Sequence, residues 1–145
     1  MPLKRAVLPL LHRADPLVTL VGGANTVLLR GGLRTGYNTD VPGMVTALAR
    51  AGVQAGVAAG PVLVLGGGAT ARSAIAALQR AGARSVTAAV RDPASATQLC
   101  SLAANLGLDL ELAAFGPGPD RDGWLARHWS QPWQLPLLAI LDSTN

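Results

Sequence analysis

The chain has 145 residues, half of them apolar and only 3% aromatic, with a formal net charge of +4; that is enough apolar material for one globular core, and the bias to Ala, Leu and Val suits helices laid on a sheet rather than a disordered tail. No stretch of about 18 residues stays free of Gly, Pro or charge, which excludes a spanning helix, and the first residues lack the apolar stretch and cleavage site of an export signal, so a cytoplasmic protein is expected. The lone Cys100, with only His12 and His128 beside it, offers neither a disulfide nor a zinc spacing; singly scattered Arg residues without aromatic partners argue against nucleic acid, while an anionic small-molecule substrate and a phosphorylated cofactor account for the surplus charge equally well.

Along the chain, Leu3, Val7, Leu10 and Leu11 recur at helical spacing and predict a short helix that stops at Asp15-Pro16. Asn25 to Arg30 and Leu33 to Tyr37 read as strands joined at Gly31-Gly32, hence a hairpin. Val41, Met44, Val45 and Leu48 predict a helix ending at Gly52, with Thr39 or Asp40 as its cap. A flexible Gly/Ala segment follows over 53–60. The pattern then changes to strand (Pro61 to Leu65), helix (Ala71 to Ala81) and strand (Val86 to Val90), the order of a parallel βαβ unit. Pro93 opens a further helix running to Gly107, and Leu108 to Leu112 is a third strand. Beyond it a Gly/Pro loop (115–123), a short helix (124–129) and a fourth strand (136–141) are expected.

The stretch Gly66, Gly67, Gly68, Ala69, Thr70, Ala71 fits G-x-G-x-x-A and stands between a strand and a helix, which is the context that gives the pattern its meaning. Gly66 permits the tight turn, Gly68 lets a diphosphate approach the backbone, and Ala71 allows close helix packing, while the free N–H groups and positive helix end face the phosphates. This predicts a Rossmann-type dinucleotide site. At the end of the second strand Arg91 favours the 2′-phosphate of NADP over NAD; Asp92 either caps the following helix or turns outward.

Four segments in register, Pro2-Leu3-Lys4, Gly23-Ala24-Asn25-Thr26, Gly36-Tyr37-Asn38-Thr39-Asp40 and Gly66 to Arg72, resemble the shikimate dehydrogenase family. The resemblance implies that Lys4 and Asp40 form a catalytic pair and that Asn25 helps hold the substrate with Thr39 and Asn38 beside it; the glycine fingerprint adds Gly66 to Ala71 with Arg91 as the expected NADP contacts. The chemistry suits those residue types. Hydride reduction of the ketone in 3-dehydroshikimate builds charge on the carbonyl oxygen, which an ammonium stabilises and protonates while a carboxylate orients it. Taken singly, a Lys near an N-terminus, a helix-capping Asp and a turn Asn all have ordinary solvent or backbone roles; the order of the motifs is what selects the functional reading.

The implied architecture is a Rossmann-type parallel sheet with flanking helices, residues 53–145, preceded by a remnant of an α/β substrate domain and linker helix, residues 1–52. The family's upstream substrate half and later Gln-bearing helix have no counterpart here, and Val90 stands where the family often has Asn. The resemblance therefore implies a fragment, a truncated gene model or a decayed copy, with activity impaired or absent because remote grip on the substrate fixes the reacting geometry. Its sheet edges are expected to favour association, including homo-oligomers. Two alternatives stay open: a quinate/shikimate dehydrogenase using NAD, and a dinucleotide-binding fragment without catalysis.

Overall fold

In the computed structural model, residues 3–52 and 62–114 are described. Their order is α1 (Leu3–Ala6), a 3-10 turn (Leu8–Leu10), β1 (Arg13–Ala14), α2 (Pro16–Val21), β2 (Thr26–Arg30), β3 (Leu33–Tyr37), α3 (Asp40–Arg50), β4 (Leu63–Leu65), α4 (Ala69–Arg80), β5 (Ser85–Val90), a second 3-10 turn (Pro93–Ser95), α5 (Thr97–Leu106) and β6 (Asp109–Ala114). The expected segment 53–60, Pro61 and every element expected after residue 114 lie outside the described residues.

The first sheet has the order β1-β3-β2, with β1 parallel and β2 antiparallel to β3. Gly31 and Gly32 turn its hairpin with φ of 56° and 74°, the pair of left-handed residues that a two-residue hairpin loop needs. The second sheet, β4-β5-β6, is parallel throughout, as the βαβ reading requires. Helix α4 is the wall common to both halves: residues Ala71 to Leu78 are all buried. On one side Ala71, Ile75 and Leu78 pack with Val64, Val86, Ala88 and Val90 of the parallel sheet. On the other, Ala76 and Ala77 pack with Val21 of α2 and Val41 of α3. A helix buried on both sides is an interior helix, and its alanines let the neighbouring layers approach closely, while its two buried polar residues, Arg72 and Ser73, are hydrogen-bonded.

Several local expectations need correction. The helix expected over Leu3 to Leu11 is broken into α1 and a 3-10 turn, because Pro9 has no N–H for an α-helical bond and its ring crowds the preceding turn. Asp15-Pro16 starts a helix rather than merely ending one: Asp15 accepts from the Leu17 N–H, Pro16 occupies the first turn, and Gly22 closes α2 at φ 63°. Thr39 is the N-cap of helix α3 by position, but its side chain makes no capping bond. Asn38 accepts from the Val41 N–H at 3.2 Å, because the Asp40 carboxylate is engaged elsewhere. Helix α4 begins two residues earlier than expected, and the segment opened by Pro93 makes a 3-10 turn before α5 begins at Thr97.

Candidate functional site

The glycine loop leaves β4 at Leu65 and enters α4 at Ala69. Gly66 takes φ 105°, a conformation that side chains resist, while its N–H still donates to the Ala89 carbonyl at 2.8 Å and so extends the parallel ladder. Gly67 is exposed, yet a Cβ there would lie 3.1 Å from Val90 Cγ1 and 3.5 Å from Leu99 Cδ1, so the loop is pressed against β5 and α5. Gly68 is the N-cap of α4 and supplies no side-chain acceptor. The first-turn N–H groups are therefore not capped by a side chain at that position, which suits them to a phosphate. Ala71 is fully buried. At the carboxyl end of β5, Arg91 is exposed, and Asp92 accepts from the Ala94 N–H at 3.0 Å, so it caps the turn.

Beside this loop lies a polar cluster. Lys4 on α1 donates to Asp40 Oδ2 at 2.5 Å and, at 3.5 Å, to Thr70 Oγ1 in the first turn of α4. The pair is mostly buried, with side-chain exposures of 16% and 24%. Asn25 donates to Asp40 Oδ1 at 2.6 Å, and its own Oδ1 accepts from the Thr39 N–H and the Thr39 and Thr26 hydroxyls. Lys4, Asp40, Asn25 and Thr39 thus form one connected network, and Thr70 ties it to the glycine loop. Asn38 stands apart from it: it is buried, donates to the Gly23 carbonyl and Ser73 Oγ, and caps α3.

Arg72 had no assigned role in the sequence, although it stood in the fourth motif. It is 5% exposed and donates through Nε to the Val21 carbonyl at 2.6 Å, through Nη2 to the Gly22 carbonyl at 3.3 Å and through Nη1 to Gln98 Oε1 at 3.0 Å. The Gly22 and Gly23 N–H groups both return to the Val18 carbonyl, leaving the last α2 carbonyls to this guanidinium. The signal was a single charge inside the Ala71 to Leu78 run. Ser73 was also missed; it accepts from Asn38 and donates to the Ala69 carbonyl. Among the described residues no group of three or more His, Cys, Asp or Glu side chains is placed to hold a metal ion, and no helix is long and apolar enough to cross a membrane.

No family model matches the chain. A curated relative from Citrifermentans bemidjiense, shikimate dehydrogenase (NADP(+)), is 48% identical over 92 residues, covering 63% of this chain and 31% of that protein. The crystal structure of the Mycobacterium tuberculosis shikimate dehydrogenase superposes with a TM-score of 0.72 at 29% identity, covering 98% of this chain and 48% of that one. That of the Thermus thermophilus shikimate 5-dehydrogenase in complex with NADP(H) and shikimate gives 0.63 at 37% identity, covering 76% and 40%. The chain belongs to the shikimate dehydrogenase family. It spans about a third of the length of the shikimate dehydrogenases it matches first by sequence, 31% to 34%. As in those shikimate dehydrogenase structures, the parallel sheet and its helices are of Rossmann type.

Proposed function

We propose that this chain carries the acid–base pair and the dinucleotide loop of an NADP-dependent shikimate dehydrogenase, for the reduction of 3-dehydroshikimate to shikimate. The observation that carries this reading is the Lys4 ammonium, paired with Asp40 and within reach of Thr70 on the helix that leaves the glycine bend. Residues 1–52 supply the substrate side and residues 53–145 the dinucleotide side. The open turn at Gly66 to Gly68 and the uncapped start of α4 fit a diphosphate, so Gly66 to Ala71 would hold the dinucleotide, with Arg91 on a 2′-phosphate. NADPH supplies the hydride when bound. Asp92 Oδ1 accepts from the Ala94 N–H and so has a turn-capping role, while Arg91 beside it is exposed at the carboxyl end of β5, where a cation favours NADP. So does the name of the curated relatives.

Lys4 acts as the proton donor. Its N–H stabilises charge on the substrate carbonyl oxygen as the bond order falls, and the proton passes to the resulting alkoxide. Asp40 accepts from Lys4 and fixes the direction of the ammonium, while Asn25 holds the other carboxylate oxygen and so keeps Asp40 from swinging. Asn25 and Thr39 sit at the exposed mouth of the network, where substrate hydroxyls would be met; Asn38 positions them from below through α3 and Gly23.

The test combines binding and turnover. NADPH titrated into the purified chain is expected to bind more tightly than NADH, and shikimate-dependent NADP reduction is expected to fall by about 10²-fold or more in Lys4→Ala, the range of general acid catalysis, with NADPH affinity unchanged. Equal rates for the two forms would remove Lys4 from the mechanism. NADPH binding without any turnover would leave the non-catalytic dinucleotide-binding reading in its place.

A further inference from the structure

Lys4 is the only lysine in the chain, and among the described residues its ammonium has two acceptors, Asp40 Oδ2 at 2.5 Å and Thr70 Oγ1 at 3.5 Å. Thr70 is the second residue of α4, half-buried, just after the glycine bend. The other polar side chains at this end of the helix are engaged elsewhere: Arg72 with the Val21 and Gly22 carbonyls and Gln98, Ser73 with the Ala69 carbonyl and Asn38. Thr70 is thus the side chain that joins Lys4 to the turn whose N–H groups suit a phosphate.

A hydroxyl has two lone pairs and one proton, whereas an ammonium can only donate. Thr70 therefore receives Lys4 on a lone pair and keeps its O–H for another acceptor; among the described residues it has none. An oxyanion at the start of α4 is the acceptor that the helix end itself selects. A hydroxyl that donates to an anion becomes a stronger acceptor in turn, so the two bonds reinforce each other. The 3.5 Å contact with Lys4 is at the long limit of a hydrogen bond, and such contacts in an active site often tighten once the ligand is in place. The Asp40 carboxylate has less freedom to respond, because Lys4 and Asn25 already hold both its oxygens.

We propose that Thr70 is a positioning residue that couples filling of the glycine loop to the Lys4 ammonium: its O–H goes to the dinucleotide diphosphate, its lone pair holds a second N–H of Lys4, and the third N–H is left for the substrate carbonyl. The proposal rests on the reading of Lys4 as the acid and of Gly66 to Ala71 as the dinucleotide loop.

In the full chain labelled with nitrogen-15 at the lysine side chain, Lys4 gives the only lysine ammonium signal, and exchange of its protons with water reports how firmly they are held. The probe is 2′-phospho-ADP-ribose, which has the diphosphate of NADP but no nicotinamide. At saturation it is expected to slow that exchange by about tenfold in the unaltered chain and in Thr70→Ser, the worth of one charge-assisted bond. Thr70→Val keeps the shape and the backbone N–H but loses the hydroxyl; it is expected to bind the probe about tenfold more weakly and, once saturated, to slow exchange by less than about twofold. In shikimate-dependent NADP reduction, kcat is expected to fall about tenfold in Thr70→Val at unchanged KM for shikimate and to return in Thr70→Ser. Circular dichroism checks the fold, and Thr70→Ala takes the place of Thr70→Val if the latter is unfolded. Equal slowing in the unaltered chain and Thr70→Val would overturn the proposal, because the charge of the phosphates alone would then account for it, as would probe binding without slowing in the unaltered chain. Failure of the unaltered chain to bind the probe would remove the dinucleotide reading and the proposal with it. Slowing that depends on the hydroxyl, in a chain without turnover, would remove the catalytic role of Lys4 and leave the coupling through Thr70 standing.

Discussion

Replacing Arg72 with Met tests whether the two halves fold as one unit. The Met side chain keeps much of the aliphatic stem but removes every donor, so the Val21 and Gly22 carbonyls at the end of α2 and Gln98 Oε1 lose the guanidinium. Hydrogen bonds to a charged group contribute roughly 1.5–3 kcal/mol each when well formed, and an orphaned buried carbonyl adds a penalty of its own. The 2.6 and 3.0 Å bonds count fully and the 3.3 Å bond only in part. Against this stands the recovered cost of having buried a cation at 5% exposure. The balance is a loss of about 4 kcal/mol, a large share of the roughly 5–15 kcal/mol by which domains are stable. With a urea slope of about 2 kcal/mol per molar, the unfolding midpoint followed by circular dichroism at 222 nm should fall by about 2 M. Arg72→Lys should fall between the two, since it keeps the charge but loses the fork. A fall below about 0.5 M for Arg72→Met, equivalent to about 1 kcal/mol, would show that α2 and α4 are not tied through this side chain in solution.

Three further substitutions probe other parts of the same scaffold. Gly66→Ala forces a Cβ into φ 105°, and is expected to lower stability by about 1–2 kcal/mol in thermal melts and to weaken NADPH binding by at least about tenfold in calorimetry. Asn38→Ala removes the cap on Val41 and both bonds to Gly23 and Ser73; a loss of about 2–3 kcal/mol in urea is expected, with Asn38→Asp intermediate because it keeps the cap acceptor alone. The hairpin exposes Leu28 and Leu29, the latter at 72%, and among the described residues β2 is an edge strand, so the chain is expected to associate. Leu29→Lys should lower the mass seen by light scattering while shifting stability by no more than about 0.5 kcal/mol.

Elements governed by local chemistry were legible in the sequence. The Gly-Gly hairpin, the βαβ order and the glycine bend follow from residue types that permit few alternatives, and they stand within a residue or two of where the pattern put them. The errors came where one residue serves two masters. Asp40 looked like a cap, but its carboxylate is held by Lys4 and Asn25, contacts 36 and 15 residues away, so the cap passed to Asn38. The helix expected over Leu3 to Leu11 follows the apolar spacing across Pro9, and Asp15-Pro16 reads in the sequence only as a stop, which hides a helix break at one proline and a helix start at the other. Arg72 was invisible as a tie between α2 and α4 because its partners there, Val21 and Gly22, are backbone carbonyls, which leave no mark in side-chain pattern. The family motifs named Lys4, Asp40 and Asn25 as a group, but nothing in their spacing disclosed that Thr70 would reach the same ammonium.

That last contact bears on how a two-part site holds its geometry. An ammonium has three N–H directions; Asp40, from the first turn of α3, takes one, and Thr70, from the first turn of α4, takes a second. The Lys4 ammonium, the proposed proton donor, therefore has partners in both halves, and its distance from the glycine bend depends on how closely α3 and α4 approach. That approach runs through Val41 against Ala76 and Ala77, where small side chains leave no room for adjustment. Arg72 and the Asn38–Ser73 pair tie the same two halves on either side of it. In a site built this way, the position of the Lys4 ammonium relative to the glycine loop is a packing distance between two helices rather than a side-chain rotamer, and substitutions in the buried Ala76-Ala77 seam should disturb it more than changes at exposed Asn25 and Thr39.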